Sequence, residues 1–186
     1  MKKLAVFFPG IGYTVDKPLL HYSRRLAADE GYEVRLLPYS GFPQKVKGDR
    51  DKMRESYQIA LKQSREMLSD LALSEFDEIL FVGKSIGTTV AAQIASESAV
   101  PDRIRLVLYT PLEETFSFPF RDAVAFTGSA DPWVPEGRIP ALCLERGIPC
   151  LVIPDGNHSL ETGDLSEDIR RLKKIMKKTR KFIRRD

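Results

Sequence analysis

The sequence predicts a three-layer α/β/α sandwich built on a mostly parallel, six-stranded sheet. Three observations point there. Strand-length and helix-length segments alternate along nearly all of the 186 residues, the pattern of βα units joined by crossovers. Ile79-Leu80-Phe81-Val82 sets four large apolar residues in a row, as a strand covered on both faces requires. Gly83-Lys84-Ser85-Ile86-Gly87 then runs into Thr88-Thr89-Val90-Ala91-Ala92, small residues suited to a helix lying close against that sheet.

The remaining elements follow in order. Leu4–Phe8 reads as the first strand, and the loop Pro9-Gly10-Ile11-Gly12-Tyr13-Thr14 follows it. Pro18 suits the first turn of a helix reaching about Asp29, with Gly31 as its stop. Glu33–Pro38 is the second strand, and residues 39–49, with Gly41, Pro43 and Gly48, form a loop. From about Asp49 to Leu71, Met53, Tyr57, Ala60, Leu61, Ser64, Leu68 and Leu71 keep to three- and four-residue steps, which predicts a long amphipathic helix. The helix after Gly87 ends near Glu97 and the fourth strand is Ile104–Tyr109. Residues 110–120 are an irregular crossover rich in phenylalanine, and Ala123–Thr127 is the fifth strand. Pro135 is expected to open a helix to about Arg146, Pro149–Ile153 is the sixth strand, and a final helix covers roughly Leu165–Ile183.

This length fits one domain spanning 1–186, with 42% apolar and 30% charged residues as in a soluble globular protein. The apolar run after Met1-Lys2-Lys3 stops at Pro9-Gly10 after five residues, too short for a signal peptide, and no segment approaches a membrane span. A cytoplasmic location is the expectation. Cys143 and Cys150 have no framework spacing and are expected as buried thiols, with neither disulfide nor metal site. The net charge of +3 hides an asymmetry: residues 166–186 hold ten Lys/Arg against three Asp/Glu, which leaves the rest of the chain at −4.

Glycines on both sides of Ser85, at a strand-to-helix junction, have the form of a nucleophile elbow. So sharp a turn brings the residues two before and two after the serine together, and only small side chains fit. The hydroxyl is then raised above the sheet, and the helix start leaves the N–H of Ile86 free for a developing anion. A phosphate-binding P-loop is excluded, because Glu78 holds the position where that motif needs its first glycine. Two further reactive side chains fall just past other strands: Asp131 after the fifth and His158 after the sixth. All three therefore lie at the carboxyl edge of the sheet, where open α/β sheets bind their ligands.

Ser, Asp and His in this order, after these strands, resemble the triad of the α/β-hydrolase superfamily. The elbow and the turn Gly156-Asn157-His158-Ser159-Leu160 look closest to its small, lidless members of the dienelactone-hydrolase and Tex30-like groups. The resemblance covers almost the whole chain and implies a minimal α/β-hydrolase fold without the two first strands of larger members. It implies Ser85 as nucleophile, His158 as base and Asp131 as its orienting acid, with the N–H groups of Ile86 and Ile11 as oxyanion donors and Gly12 as the nearby alternative. Where the family carries a histidine before that donor loop, this chain has Pro9. The implied reaction is acyl transfer to water from a small ester, thioester or related acyl substrate, a carboxylesterase-like chemistry with no metal and no organic cofactor. With only about eleven irregular residues after the fourth strand, an open site is expected.

Other readings stand beside these. Asp131 could serve only as an Asx-turn or cap for the following helix, with Asp155 and Glu161 as the fallback acids for His158. Trp133, Phe116 and Phe118, with Gly12 and Tyr13, are candidates for pocket walls, although such aromatics are more often core anchors. Glu113 and Glu114 are expected to be solvated, His21 to be a packing or surface residue, and Lys84 to be a structural or electrostatic neighbour of the elbow. A rival from another class is a non-catalytic protein binding an anionic partner through the basic final helix. No nucleic-acid motif or stacking platform accompanies that helix, so nucleic acid is the lesser expectation. The oligomeric state has no signature in the sequence.

Overall fold

The computed structural model describes residues 1–185. Six strands, β1 (Lys3–Phe8), β2 (Glu33–Leu36), β3 (Glu78–Lys84), β4 (Ile104–Tyr109), β5 (Ala123–Gly128) and β6 (Cys150–Ile153), lie in the order β2-β1-β3-β4-β5-β6. Every pairing is parallel. Five α-helices connect or follow them: α1 (Pro18–Asp29), α2 (Arg50–Met67), α3 (Ile86–Glu97), α4 (Arg138–Glu145) and α5 (Leu165–Arg184).

Strand periodicity sorts the core into two layers. Leu4, Val6 and Phe8 of β1, Ile79 and Phe81 of β3, and Leu106 and Leu108 of β4 join Ala60 and Leu61 of α2, Val90 and Ala91 of α3, and Ile139 of α4. Their alternates Ala5, Phe7, Leu80, Val82, Val107 and Tyr109 face the other way, onto Leu19 and Leu20 of α1 and Ile175 and Ile183 of α5. Both faces are thus covered, which is why the central strands read as unbroken apolar runs. Tyr109 closes the second layer with a polar link: its hydroxyl lies 2.8 Å from Ser23 Oγ on α1 and 2.6 Å from Thr179 Oγ1 on α5.

Several boundaries differ from those expected. β2 ends at Leu36, two residues short of Pro38. Asp49 lies outside α2 as its cap, accepting the N–H groups of Asp51 and Lys52, and the helix stops at Met67. Pro135 opens no helix. Residues 132–137 turn instead, ending in Gly137 at φ 74°, and α4 begins only at Arg138. The chain turns back between β1 and β3, with β2 on one side and β4 on the other. That divergence opens a crevice at the carboxyl edge, and the loops after β1 and β3 border it.

Candidate active site

Ser85 sits at the end of β3 with φ 54° and ψ −126°, a backbone region that L-residues rarely occupy. The turn is held by contact on every side. A Cβ on Gly87 would stand 2.1 Å from the carbonyl oxygen of Phe8 and 2.5 Å from that of Pro9, and one on Gly83 would stand 2.7 Å from Thr88 Cα. Glycine is required at both places because the atoms in the way are backbone. Thr88 donates its hydroxyl to the Ser85 carbonyl at 2.6 Å and lies 2.7 Å from Thr115 Oγ1, which ties the elbow to the 3₁₀ turn Glu113–Ser117. Nothing in the sequence pattern marked this pair of threonines, since it joins residues 27 positions apart.

The β5–α4 and β6–α5 loops supply the other two side chains. They approach so closely at Gly128 that a Cβ there would stand 2.0 Å from the Gly156 carbonyl oxygen. Asn157 shapes the second loop by accepting the N–H groups of Ser159 and Glu161 on its side-chain oxygen. His158 Nε2 then lies 2.8 Å from Ser85 Oγ, and Nδ1 lies 2.9 and 2.8 Å from the two carboxylate oxygens of Asp131. A carboxylate only accepts, so Nδ1 carries the imidazole proton and Nε2 is left to accept the serine O–H. Asp131 Oδ1 also accepts the N–H of Trp133, so the Asx-turn and the contact to His158 coexist. Neither Asp155 nor Glu161 has a hydrogen bond to His158.

The three side chains are largely shielded from solvent. Ser85 is 8% exposed and the Asp131 side chain 1%, whereas His158 keeps 19%. Burial, and behind it the Lys84 ammonium, lower the His158 pKa below its usual 6.5, against the opposing pull of Asp131. Lys84 is itself 1% exposed, with its Nζ 4.9 Å from the centre of the Tyr13 ring. Loss of hydration brings its pKa down to about 7, partly countered by Asp131 and Glu161.

The loop after β1 passes directly beside Ser85: a Cβ on Gly10 would lie 3.2 Å from Ser85 Cβ and 3.2 Å from the Lys84 carbonyl oxygen. Gly10 spends its own N–H on the carbonyl of Tyr13, 3.1 Å away, which leaves those of Ile11 and Gly12 as the loop's candidates for an anion. Ile86 is the first residue of α3, where helix geometry provides its N–H no intrahelical acceptor.

The aromatic candidates separate. Trp133 covers the imidazole, with ring centroids 5.3 Å apart and planes tilted by 31°. Phe118 lines a cleft of about 550 Å³ together with Ile86, Leu112, Met53 and Tyr57, and Arg50, Arg54 and Glu114 stand among its lining residues. Phe116 is instead a core residue, buried beside Phe120 and held by Arg146, which donates to its carbonyl. Tyr13 turns its hydroxyl to the N–H of Leu19 at the start of α1, and Gly12 is exposed at φ 70°. Of the two glutamates expected in solvent, Glu113 pairs with Arg138 at 2.7 Å and Glu114 is exposed. His21 packs on Tyr22 and Arg24, away from these residues. Cys143 is buried, Cys150 is only half-buried, and both are free thiols.

No family model matches the sequence, and no curated protein does. Solved structures do match it. A Xanthomonas campestris pv. campestris protein assigned to the alpha/beta hydrolase superfamily superposes with a TM-score of 0.70 at 16% identity, over 100% of each chain. A serine hydrolase without a lid, also from Xanthomonas campestris, gives 0.63 at 15%, over 98% of this chain and 81% of that one. Est1E from Butyrivibrio proteoclasticus, solved with ferulic acid bound, gives 0.68 at 13%, over 97% and 88%. With its six parallel strands in this order, helices on both faces and near-complete superposition on these proteins, the chain has the α/β-hydrolase fold.

Proposed function

We propose that the protein is a serine hydrolase that cleaves a carboxylic ester or a related acyl substrate through an acyl-enzyme. The observation that carries the reading is the continuous contact from Ser85 Oγ to His158 Nε2 at 2.8 Å and from His158 Nδ1 to Asp131 at 2.8 Å. Hydrolases among the structural neighbours support the reading by analogy of fold alone.

In this reading Ser85 Oγ attacks the acyl carbon while His158 Nε2 takes its proton, and Asp131 holds the imidazole in the required tautomer and stabilises the imidazolium. The N–H groups of Ile86 and Ile11 receive the tetrahedral oxyanion, each such donor being worth about 10²–10³ in kcat. His158 returns the proton to the leaving alcohol. A water molecule then repeats the sequence on the ester of Ser85 and frees the acid. The cleft beside Ile86 is the acyl pocket, a volume of about 550 Å³ that admits short and medium acyl groups. The reaction needs no metal and no organic cofactor, the substrate is a small molecule, and the whole chain acts as one hydrolase domain.

A fluorophosphonate probe tests this. The native protein is expected to be labelled on Ser85, with labelling lost on heat denaturation and in Ser85→Ala. Labelling that persists in Ser85→Ala, or that never occurs on folded wild type, overturns the reading.

A further inference from the structure

The final helix carries an exposed ridge that the packing of the domain does not use. α5 buries Ile175, Thr179 and Ile183. Every fourth residue from its start, Leu165, Ile169, Lys173, Lys177 and Lys181, is exposed instead, and side chains four apart stand one above the next. The ridge has two parts. At its start Leu165 is 75% and Ile169 60% exposed, large apolar side chains left in water. They border a hollow of about 130 Å³ between the starts of α1 and α5, lined mainly by apolar residues, with Glu161 and Asp168 its two charged ones. Past Ile169 the ridge is cationic.

Residues 169–185 hold ten Lys/Arg and no Asp/Glu. Arg170 and Arg171 pair with Glu167, and Arg184 pairs with Glu30. Lys173, Lys174, Lys177, Lys178, Arg180 and Lys181 are exposed and, among the described residues, form no ion pair. The helix dipole favours cations in the last turn, where Lys181 and Arg184 stand, but not in the middle of a 20-residue helix. Lys173, Lys177 and Lys181 repel one another at four-residue spacing, as do Lys174 and Lys178, and each such pair weakens the helix. The outer face of α2 alternates signs instead, pairing Arg54 with Asp51 and Lys62 with Glu66. On α5 the opposite charge has to come from outside the chain.

We propose that this ridge docks the protein on the surface of an anionic lipid bilayer. The lysines meet lipid phosphates, and Leu165 and Ile169 enter the boundary between headgroups and acyl chains. Charge complementarity and the two apolar side chains together select that partner, because a membrane interface sets negative headgroups beside hydrocarbon and takes up both halves of the ridge. Nucleic acid offers its phosphates to bidentate arginines and its bases to aromatic platforms. Here five of the six unpaired cations are lysines, and Phe182, the one aromatic of α5, is half-buried under Arg105. The docking is peripheral, since α5 keeps its apolar stripe on the second core layer. α5 begins a short loop after β6 ends, so the apolar end of the ridge lies toward the carboxyl edge of the sheet. The docking does not depend on whether Ser85 is a nucleophile.

Sedimentation of the full chain with vesicles tests this, using phosphatidylcholine alone or mixed with phosphatidylglycerol. Wild type is expected to sediment with the mixed vesicles only, and to be released at about 1 M salt, where the Debye length falls to roughly 3 Å. Lys173→Gln, Lys177→Gln and Lys181→Gln together should weaken vesicle binding about 100-fold, at roughly fivefold per lysine. Leu165→Ser with Ile169→Ser should weaken it roughly tenfold while leaving retention on polyuridylate RNA unchanged. All five side chains are exposed, so thermal melts of the variants are expected to match wild type. Should the triple variant melt early, Lys174→Gln with Lys178→Gln reads the same effect from the neighbouring row, as a loss of about 25-fold. Equal sedimentation with neutral vesicles, or none with the mixed ones, overturns the proposal. Vesicle binding that ignores the Leu165 and Ile169 changes overturns it too, because charge alone is then at work. Tighter binding to the RNA than to the mixed vesicles would give the ridge to nucleic acid instead.

Discussion

Single atoms decide the elbow. The Cβ of an alanine at position 87 would stand 2.1 Å from a carbonyl oxygen of β1, and the strand cannot retreat without breaking its pairing with β3. Gly87→Ala is expected to cost 1–3 kcal/mol or more, at roughly the magnitude of overpacking in a core, and to displace Ser85. Urea denaturation measures the first effect and fluorophosphonate labelling the second. At Lys84 the sign is opposite. The folded chain releases the Lys84 proton near pH 7 and the unfolded chain only near 10.5, so between those values the unfolded state binds more protons. The stability this group contributes is complete above about 10.5, is lost as the pH falls to about 7, and stays lost below. Lys84→Met is therefore expected to be more stable than wild type at pH 7 and below, with the difference shrinking toward pH 10. Urea midpoints measured at several pH values check this, and a variant less stable at pH 6 would contradict it. His158 obeys the same rule in its own window, its neutral form being favoured in the fold and its contribution fading below its usual 6.5.

Elements owe their positions to a few polar anchors that an apolar pattern does not reveal. Arg105 is a charged side chain in the middle of a sheet, 4% exposed. Its guanidinium bonds Asp122 at 2.9 Å, donates to the carbonyls of Ile183 and Phe182 in the last turn of α5, and lies 4.3 Å from the centre of the Phe182 ring. It thereby satisfies helix-end carbonyls that would otherwise be orphaned and fixes the end of α5 on the sheet. Arg105→Met is expected to destabilise the protein by about 1–3 kcal/mol. Amide exchange in the last two turns of α5 should quicken more than exchange in β3, and uniform loosening would argue against a local anchor. Arg146 has the same role on the other face, donating to the carbonyls of Phe116 and Phe118. With that segment fixed, the Phe116 side chain is buried in the core and that of Phe118 lines the cleft.

Across the whole molecule, charge and access are separated. Positive charge is concentrated on α5, whose apolar stripe of Leu172, Ile175, Met176, Phe182 and Ile183 packs on the second core layer. Truncation before α5 would uncover that layer, so an anionic-partner role is better tested with Lys173→Gln, Lys177→Gln and Lys181→Gln together, read as the salt dependence of retention on a polyanion. No helix of the described residues is long and apolar enough to cross a membrane. At the carboxyl edge, the connection from β4 to β5 contains only one 3₁₀ turn, Glu113–Ser117, and no α-helix. If the hydrolase reading holds, the rate on short-chain esters is expected to saturate smoothly below the solubility limit. A jump where the substrate forms droplets would mean that something opens.

How much of this could be read beforehand depends on whether the cause is local. The strands β1, β3, β4 and β5 are legible because a strand covered on both faces must be apolar throughout, and Ile79–Val82 can be little else. Ser85, Asp131 and His158 stand out because each follows a strand end, and parallel strands deliver their ends to one edge. Asp49 was readable as a boundary, though not as a cap distinct from its helix. Pro135 misled because proline suits a turn as well as a first helical residue, and the Asx-turn at Asp131 selected the turn. The order of the strands, the layer to which Phe116 belongs and the link between Thr88 and Thr115 depend on contacts between distant residues, which no window of sequence contains. Lys84 is the clearest case. Its neighbours in the chain identify it as part of an elbow, but its burial and its seat over Tyr13 exist only once the loop after β1 folds against the end of β3. By itself the sequence determined the α/β class, the tight turn at Ser85 and the position of Ser85, Asp131 and His158 at one edge of the sheet, because each follows from local sterics and strand-end position. Tertiary structure alone decided which acid meets the histidine, which aromatics border the cleft, and that Lys84 lies buried against the Tyr13 ring, because those facts are distances between segments that the chain brings together only on folding.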